Sequence, residues 1–205
     1  MRDVSAREAI KVISLAVKTW WADWANQVLV CLAAVLLSLT LIGYPLAVFG
    51  LFGQSKDLLD GLRSGLGGFW ATIKKDWKNA LLWGLLNTLV LATSGFGVWF
   101  YANTDFAVAR VVVFVPAILA ILWGAWQCFS LGAYFQQEPR TLQLAWRNGW
   151  AILIGRPAFS WLVALVVLVV LALSLRLFIP LFFAFPSLLA SVCLAAVRET
   201  ITNQS

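Results

Sequence analysis

The sequence predicts an all-α fold: a polytopic transmembrane helix bundle of about six crossings, with interfacial amphipathic elbow helices between the spans. Three observations predict it. Apolar stretches run through residues 27–53, 80–103, 108–135 and 158–197. Each can cross a hydrocarbon core of about 30 Å, and the last can cross twice. Nearly every charge falls in the gaps between these stretches, Arg110 and Arg176 being the exceptions. The composition is 62% hydrophobic and 12% charged, with mean hydropathy +0.88. A soluble domain carries about 25% charged residues, so this chain is unsuited to a water-exposed surface. Its 205 residues allow one integral membrane domain and no sizeable soluble one.

Residues 1–26 read as an amphipathic N-terminal helix. Ser5-Ala6-Arg7-Glu8 has the form of a capping box. Ile10, Ile13, Val17, Trp20 and Trp24 share one helical face, and Arg7, Lys11 and Lys18 another. These charges interrupt the segment too early for a signal-peptide core, so the first helix is expected to stay in the mature chain. Residues 27–62 read as a helical hairpin that turns at Ile42-Gly43-Tyr44-Pro45. Gly43 admits unusual backbone angles, and Pro45 cannot continue a helix ladder. Residues 64–79 form a basic elbow, 80–135 two transmembrane helices, 137–157 a second elbow and 158–198 a transmembrane hairpin that breaks at Ile179-Pro180.

The turn at Gly43 decides the topology. If residues 27–53 were one span, six Lys and Arg would lie inside and nine outside, against the positive-inside bias. With the turn, Arg2, Arg7, Lys11, Lys18, Lys56, Arg63, Lys74, Lys75, Lys78, Arg140, Arg147, Arg156 and Arg198 all lie inside. Only Arg110 and Arg176 are then outside, near span ends where they can snorkel. Both termini are expected inside and Asp105 outside.

The elbows carry the expected membrane-interface residues. In the first, Phe69, Trp70, Ile73, Trp77 and Leu81 oppose Lys74, Lys75 and Lys78. In the second, Leu142, Trp146, Gly149, Trp150 and Leu153 lie beside Arg140 and Arg147. Trp on the apolar face with Lys and Arg opposite describes a helix lying at an anionic headgroup layer. The net charge of +6 is placed for lipid, not nucleic acid. Gly61, Gly65, Gly67 and Gly68 make a flexible linker that no Lys-Ser or Lys-Thr pair closes into a phosphate loop.

The sequence offers no reaction centre. Without His, His-based triads, zincins and His-ligated haem are excluded. Cys31, Cys128 and Cys193 lie within apolar spans without CxxC spacing and read as small apolar filler. None of the nine acids is central in a span, which argues against a carboxylate-coupled carrier. Asn87, Gln127 and Ser130 lie nearer mid-span and read as interhelical hydrogen-bonding groups, worth about 1 kcal/mol each. No metal, cofactor or catalytic residue is expected.

Asp57-Leu58-Leu59-Asp60-Gly61-Leu62-Arg63 is similar to the metal-binding stretch of the CDP-alcohol phosphatidyltransferases. There the Arg follows the Gly at a wider spacing, and a second acid pair lies downstream. This chain has neither, so Asp57 and Asp60 read as a solvated helix end. Over most of its length the chain resembles the YesL-like family of small bacterial membrane proteins of unknown function. The likeness rests on the Ile42-Gly43-Tyr44-Pro45-Leu46-Ala47 break and the Phe69-to-Lys78 aromatic-basic elbow. It rests also on the Ala-rich elbow ending at Arg156-Pro157, with two apolar helices after it. This chain is unusually rich in Trp for such a protein. The resemblance implies a bacterial cytoplasmic membrane and an accessory role beside carbohydrate uptake systems.

Two functions follow as expectations. The first is a non-enzymatic accessory or assembly subunit that grips a membrane-protein partner or a second copy, with Gly84, Gly95, Gly97, Gly124 and Gly132 allowing close helix approach. The second is a small-solute transporter or channel with a site at the broken helices near Gly43, Pro45 and Pro180.

Overall fold

The computed structural model describes residues 2–104, 109–165 and 180–202. Asp105 and Arg176, and the approach to Pro180, lie outside them. The described residues fold as helices: α1 (Arg2–Ala22), α2 (Trp24–Ser38), α3 (Gly43–Leu59), α4 (Gly65–Ala102), the single turn α5 (Ala109–Val112), α6 (Phe114–Gln136), α7 (Leu142–Gly155), α8 (157–165) and α9 (Pro180–Thr202). Among these residues there is no strand. In lipid only such internally bonded backbone is tolerated.

α4 and α6 are each long and apolar enough to cross a membrane, and α1 with α2 would add a third span if that bent pair counts as one. The pair bends by 93° at Asp23. α2 and α3, with 15 and 17 residues, fold back on one another across residues 39–42. A Cβ built on Gly65, the first residue of α4, would lie 3.6 Å from Asn26 Cγ near the start of α2, so the chain returns to where the hairpin began. Pro45 sits in the first turn of α3, where its missing N–H costs no ladder bond.

α9 is the axis of the bundle. Every residue from Ala190 to Val197 is buried, because α1, α2, α3 and α6 all pack on it. Its Ala and Ser residues let those helices approach closely. It opens at Pro180.

Four sequence expectations change. The elbow at 64–79 and the span after it are one 38-residue helix, α4, about 57 Å long at 1.5 Å per residue. Charge gives way to apolar residues there, but no breaker interrupts the ladder. Ser5 lies inside α1, which begins at Arg2, so it does not cap the helix; Glu8 instead faces Arg156 at 3.5 Å. The buried face of α1 is Ala9, Val12, Ala16 and Trp20, packed on α9, while Ile10 and Val17 are exposed. Cys128 and Cys193 form a disulfide joining α6 to α9 with Cα atoms 5.9 Å apart; Cys31 alone is a free, buried thiol.

Candidate functional site

A cavity of about 430 Å³ lies where α3, α4, α6, α8 and α9 meet. Its wall is built by spacing along helices. Trp83, Asn87 and Leu91 follow one another at four-residue intervals on α4, while Trp123 and Gln127 do the same on α6. Tyr44, Val48 and Phe52 add the facing stripe of α3.

Two crossed hydrogen bonds tie α4 to α6 at the cavity wall. The Trp83 indole N–H donates to Gln127 Oε1 at 2.7 Å, and the Trp123 indole N–H donates to Asn87 Oδ1 at 2.8 Å. Asn87 Nδ2 donates in turn to the Trp83 carbonyl at 2.8 Å. Gln127 is 4% exposed, yet its Nε2 has no hydrogen-bond partner. Ser130 makes no interhelical bond: its Oγ is buried and unpartnered beside Gly149 of α7.

A second polar cluster sits further along the same two helices. Asp76, 6% exposed, accepts the Tyr134 hydroxyl proton at 2.9 Å and faces Arg140 Nη1 at 3.5 Å. Asn79 Nδ2 donates to the Tyr134 hydroxyl at 2.8 Å. A third lies at the bundle axis, where the Trp20 indole N–H and the Cys31 thiol both reach Ser187 Oγ, at 2.7 and 3.2 Å. Gln27 and Gln54 are wholly buried, and neither side chain has a hydrogen-bond partner.

The residues expected at the membrane interface divide. Trp24, Trp70, Trp77 and Trp150 are exposed, as are Lys74, Lys75, Lys78 and Arg147. Trp146 is half-buried against the core. Trp20 is a correction: it points into the bundle and is consumed by its bond to Ser187. Asp60 is tied to Lys56 at 2.6 Å and to Arg198 at 3.1 Å. Among the described residues no three His, Cys, Asp or Glu come together to hold a metal ion.

Sequence reasoning identified Asn87 and Gln127 but missed their indole partners and the burial of Asp76. It also treated five glycines alike. A Cβ on Gly84 would meet Pro45, one on Gly132 would meet Val197 and the Cys193 carbonyl, and one on Gly97 would meet Pro116 at 3.2 Å. Gly95 and Gly124 face open space. The chain matches no family model, no curated protein and no solved structure.

Proposed function

We propose that this chain is a non-enzymatic accessory subunit of a bacterial cytoplasmic membrane, crossing about six times with both termini inside. It assembles with a membrane-protein partner or a second copy along α4 and α6, and the likeness to the YesL-like family points to service beside carbohydrate uptake. The observation that carries the reading is how little of the two membrane-long helices the chain itself covers. Only 17% of the apolar window of α4 and 22% of that of α6 is buried. Leu85, Leu89, Phe96 and Trp99 of α4 and Phe114 and Leu119 of α6 stay exposed, a broad apolar surface for helix packing. Purification of the tagged chain from its native membrane in mild detergent, after cross-linking, should return a reproducible second chain or a self-dimer. Reproducible isolation of a lone, uncross-linked monomer would end this reading.

The topology has its own test. The bias against translocating short basic loops acts within about 15–20 residues of a span. On a background with Cys31, Cys128 and Cys193 replaced by alanine, a single Cys at Asn103 should react with an impermeant thiol reagent from outside. A single Cys at Lys75 should react only after permeabilisation, and a reporter fused after Ser205 should read cytoplasmic. Outside labelling at 75 would remove the six-crossing arrangement.

The rival reading, a small-solute transporter, draws on the cavity that reaches Asn87 and Gln127. The wall is otherwise apolar and carries no charge, which disfavours passage of a polar solute. Liposomes holding the pure chain should show no sugar or ion flux above protein-free vesicles.

A further inference from the structure

We propose that Lys74, Lys75 and Lys78 of α4 form a discrete site for the phosphate of one anionic phospholipid headgroup in the inner leaflet. The site rests on α4 crossing the membrane with residue 75 inside, which the labelling at residues 75 and 103 tests separately. It does not need the accessory role.

α4 runs unbroken from Gly65 to Ala102, so the three lysines ride on the same rod as the span. A segment continuous with a span cannot lie flat on the membrane surface. The packed stripe of this rod is Phe69, Ile73, Asp76, Ala80 and Trp83, three or four residues apart and all buried. Lys74, Lys75 and Lys78 fall between these positions, on the unpacked side, and all are exposed. Lys78 is four residues from Lys74 and three from Lys75. Side chains at those spacings are neighbours, and like charges there repel. Three ammonium groups are therefore concentrated on one patch of one rigid helix.

The carboxylate within that patch, Asp76, points the other way, to Tyr134 and Arg140. Among the described residues, no ion pair involves Lys74, Lys75 or Lys78. The other cations of the inner side differ. Lys56, Arg140, Arg156 and Arg198 each face a carboxylate. Lys18, Arg63 and Arg147 are exposed but scattered, on α1, ahead of α4 and on α7.

Depth selects the anion. Lys78 precedes Ala80, where the apolar stretch opens, by two residues or about 3 Å, and Lys74 by six or about 9 Å. That range covers the headgroup layer, about 5–8 Å thick on each side. Lys78 Nζ lies 5.6 Å from the ring centroid of the exposed Trp77, an indole that itself favours the interface. A lysine ammonium is a compact charge with rotatable donors, so three can converge on the oxygens of one phosphate. A choline headgroup brings a cation of its own and relieves no repulsion.

Delipidated full-length protein in a neutral detergent is titrated at low ionic strength with dioleoyl phosphatidylglycerol, dioleoyl phosphatidylcholine, sodium phosphate or a polyglutamate peptide, and the thermal midpoint is followed. A ligand bound only by the folded state raises that midpoint with concentration. Phosphatidylglycerol is expected to raise it saturably for wild type, and the other three to leave it in place. The triple variant Lys74→Gln, Lys75→Gln, Lys78→Gln should need at least about tenfold more lipid for the same shift. Its unliganded midpoint should equal or exceed that of wild type, because the repulsion is gone. The triple variant Lys18→Gln, Arg63→Gln, Arg147→Gln removes the same charge and should respond as wild type does. Equal loss in the two variants would make the attraction a property of net charge and overturn the site, as would a wild-type response from the first of them. No shift with phosphatidylglycerol, or an equal one with phosphatidylcholine, would overturn it too. A matching shift with sodium phosphate or polyglutamate would do the same, and would assign the patch to a free anion or to an acidic protein segment. None of these results depends on whether a partner chain co-purifies.

Discussion

Asp76→Ala is expected to destabilise the detergent-solubilised protein by about 3 kcal/mol, the scale for removing one member of a buried charged and hydrogen-bonded set. Asp76 stands in a run of lysines, but its side chain turns inward and is 6% exposed. Without it, the hydroxyl proton of the wholly buried Tyr134 loses its acceptor, and Arg140 loses the carboxylate it faces at 3.5 Å. Arg140 retains some access to water, with its side chain 24% exposed, so the main loss is at Tyr134. Tyr134→Phe should therefore cost less, about 1–1.5 kcal/mol, because no buried hydroxyl is left and Arg140 still faces Asp76, although Asp76 and the Asn79 amide each lose a partner. Lys75→Ala, one residue away and exposed, should change stability by no more than about 0.5 kcal/mol. Thermal midpoints in one detergent would rank the three. Asp76→Ala matching Lys75→Ala would show that the carboxylate is solvated.

Gly43→Ala should be at least as damaging. A Cβ on Gly43 would overlap the Leu37 carbonyl oxygen and lie 2.5 Å from Thr40 Oγ1 and 2.8 Å from the Leu37 carbonyl carbon. Two of these are backbone atoms and cannot rotate away. Thr40 Oγ1 also accepts the Gly43 N–H at 3.0 Å, so the same shift breaks the bond that opens α3. Overpacking usually costs about 1–3 kcal/mol. Here the loss should reach or exceed the upper figure, seen as a collapsed midpoint or failure to accumulate in the membrane. Gly67→Ala is the control, since nothing lies within 4 Å of its added Cβ. It should be neutral or gain a few tenths of a kcal/mol from helix propensity. Equal behaviour of the two alanine variants would mean that the turn is not close-packed.

What was legible in the chain follows from what sequence pattern encodes. The helical class was legible because long apolar segments in lipid have few ways to satisfy their backbone. The turn before α3 was legible because Gly43 and Pro45 act locally. The orientation of α1 was not. In a membrane both the packed and the lipid-facing sides can be apolar, so Ile10 and Val17 gave the same signal whether they faced core or lipid. The packed face was instead small, made by Ala9, Val12 and Ala16. The length of α4 was hidden because a change from Lys to Leu marks a change of solvent, not the end of a hydrogen-bond ladder. In the cavity, Asn87 and Gln127 stood out as polar residues in apolar spans, but nothing local paired them with Trp123 and Trp83, 36 and 44 residues away. The burial of Asp76 carried no local signal because its partners Tyr134 and Arg140 are 58 and 64 residues away. Cys128 and Cys193, separated by 65 residues, likewise carry no local spacing signal.

The central place of α9 also sets a clock on biogenesis. Trp20 bonds to Ser187 across 167 residues, and Lys11 pairs with Glu199 across 188. At about 5–20 residues per second, the ribosome makes Ser187 roughly 8–33 s after Trp20. Hairpin formation takes microseconds by comparison. The first three helices therefore exist for on the order of a million times their own relaxation time before their axis arrives. Through that interval the groove for α9 stays unfilled, and the bundle closes last at its centre, not from its first helix onward.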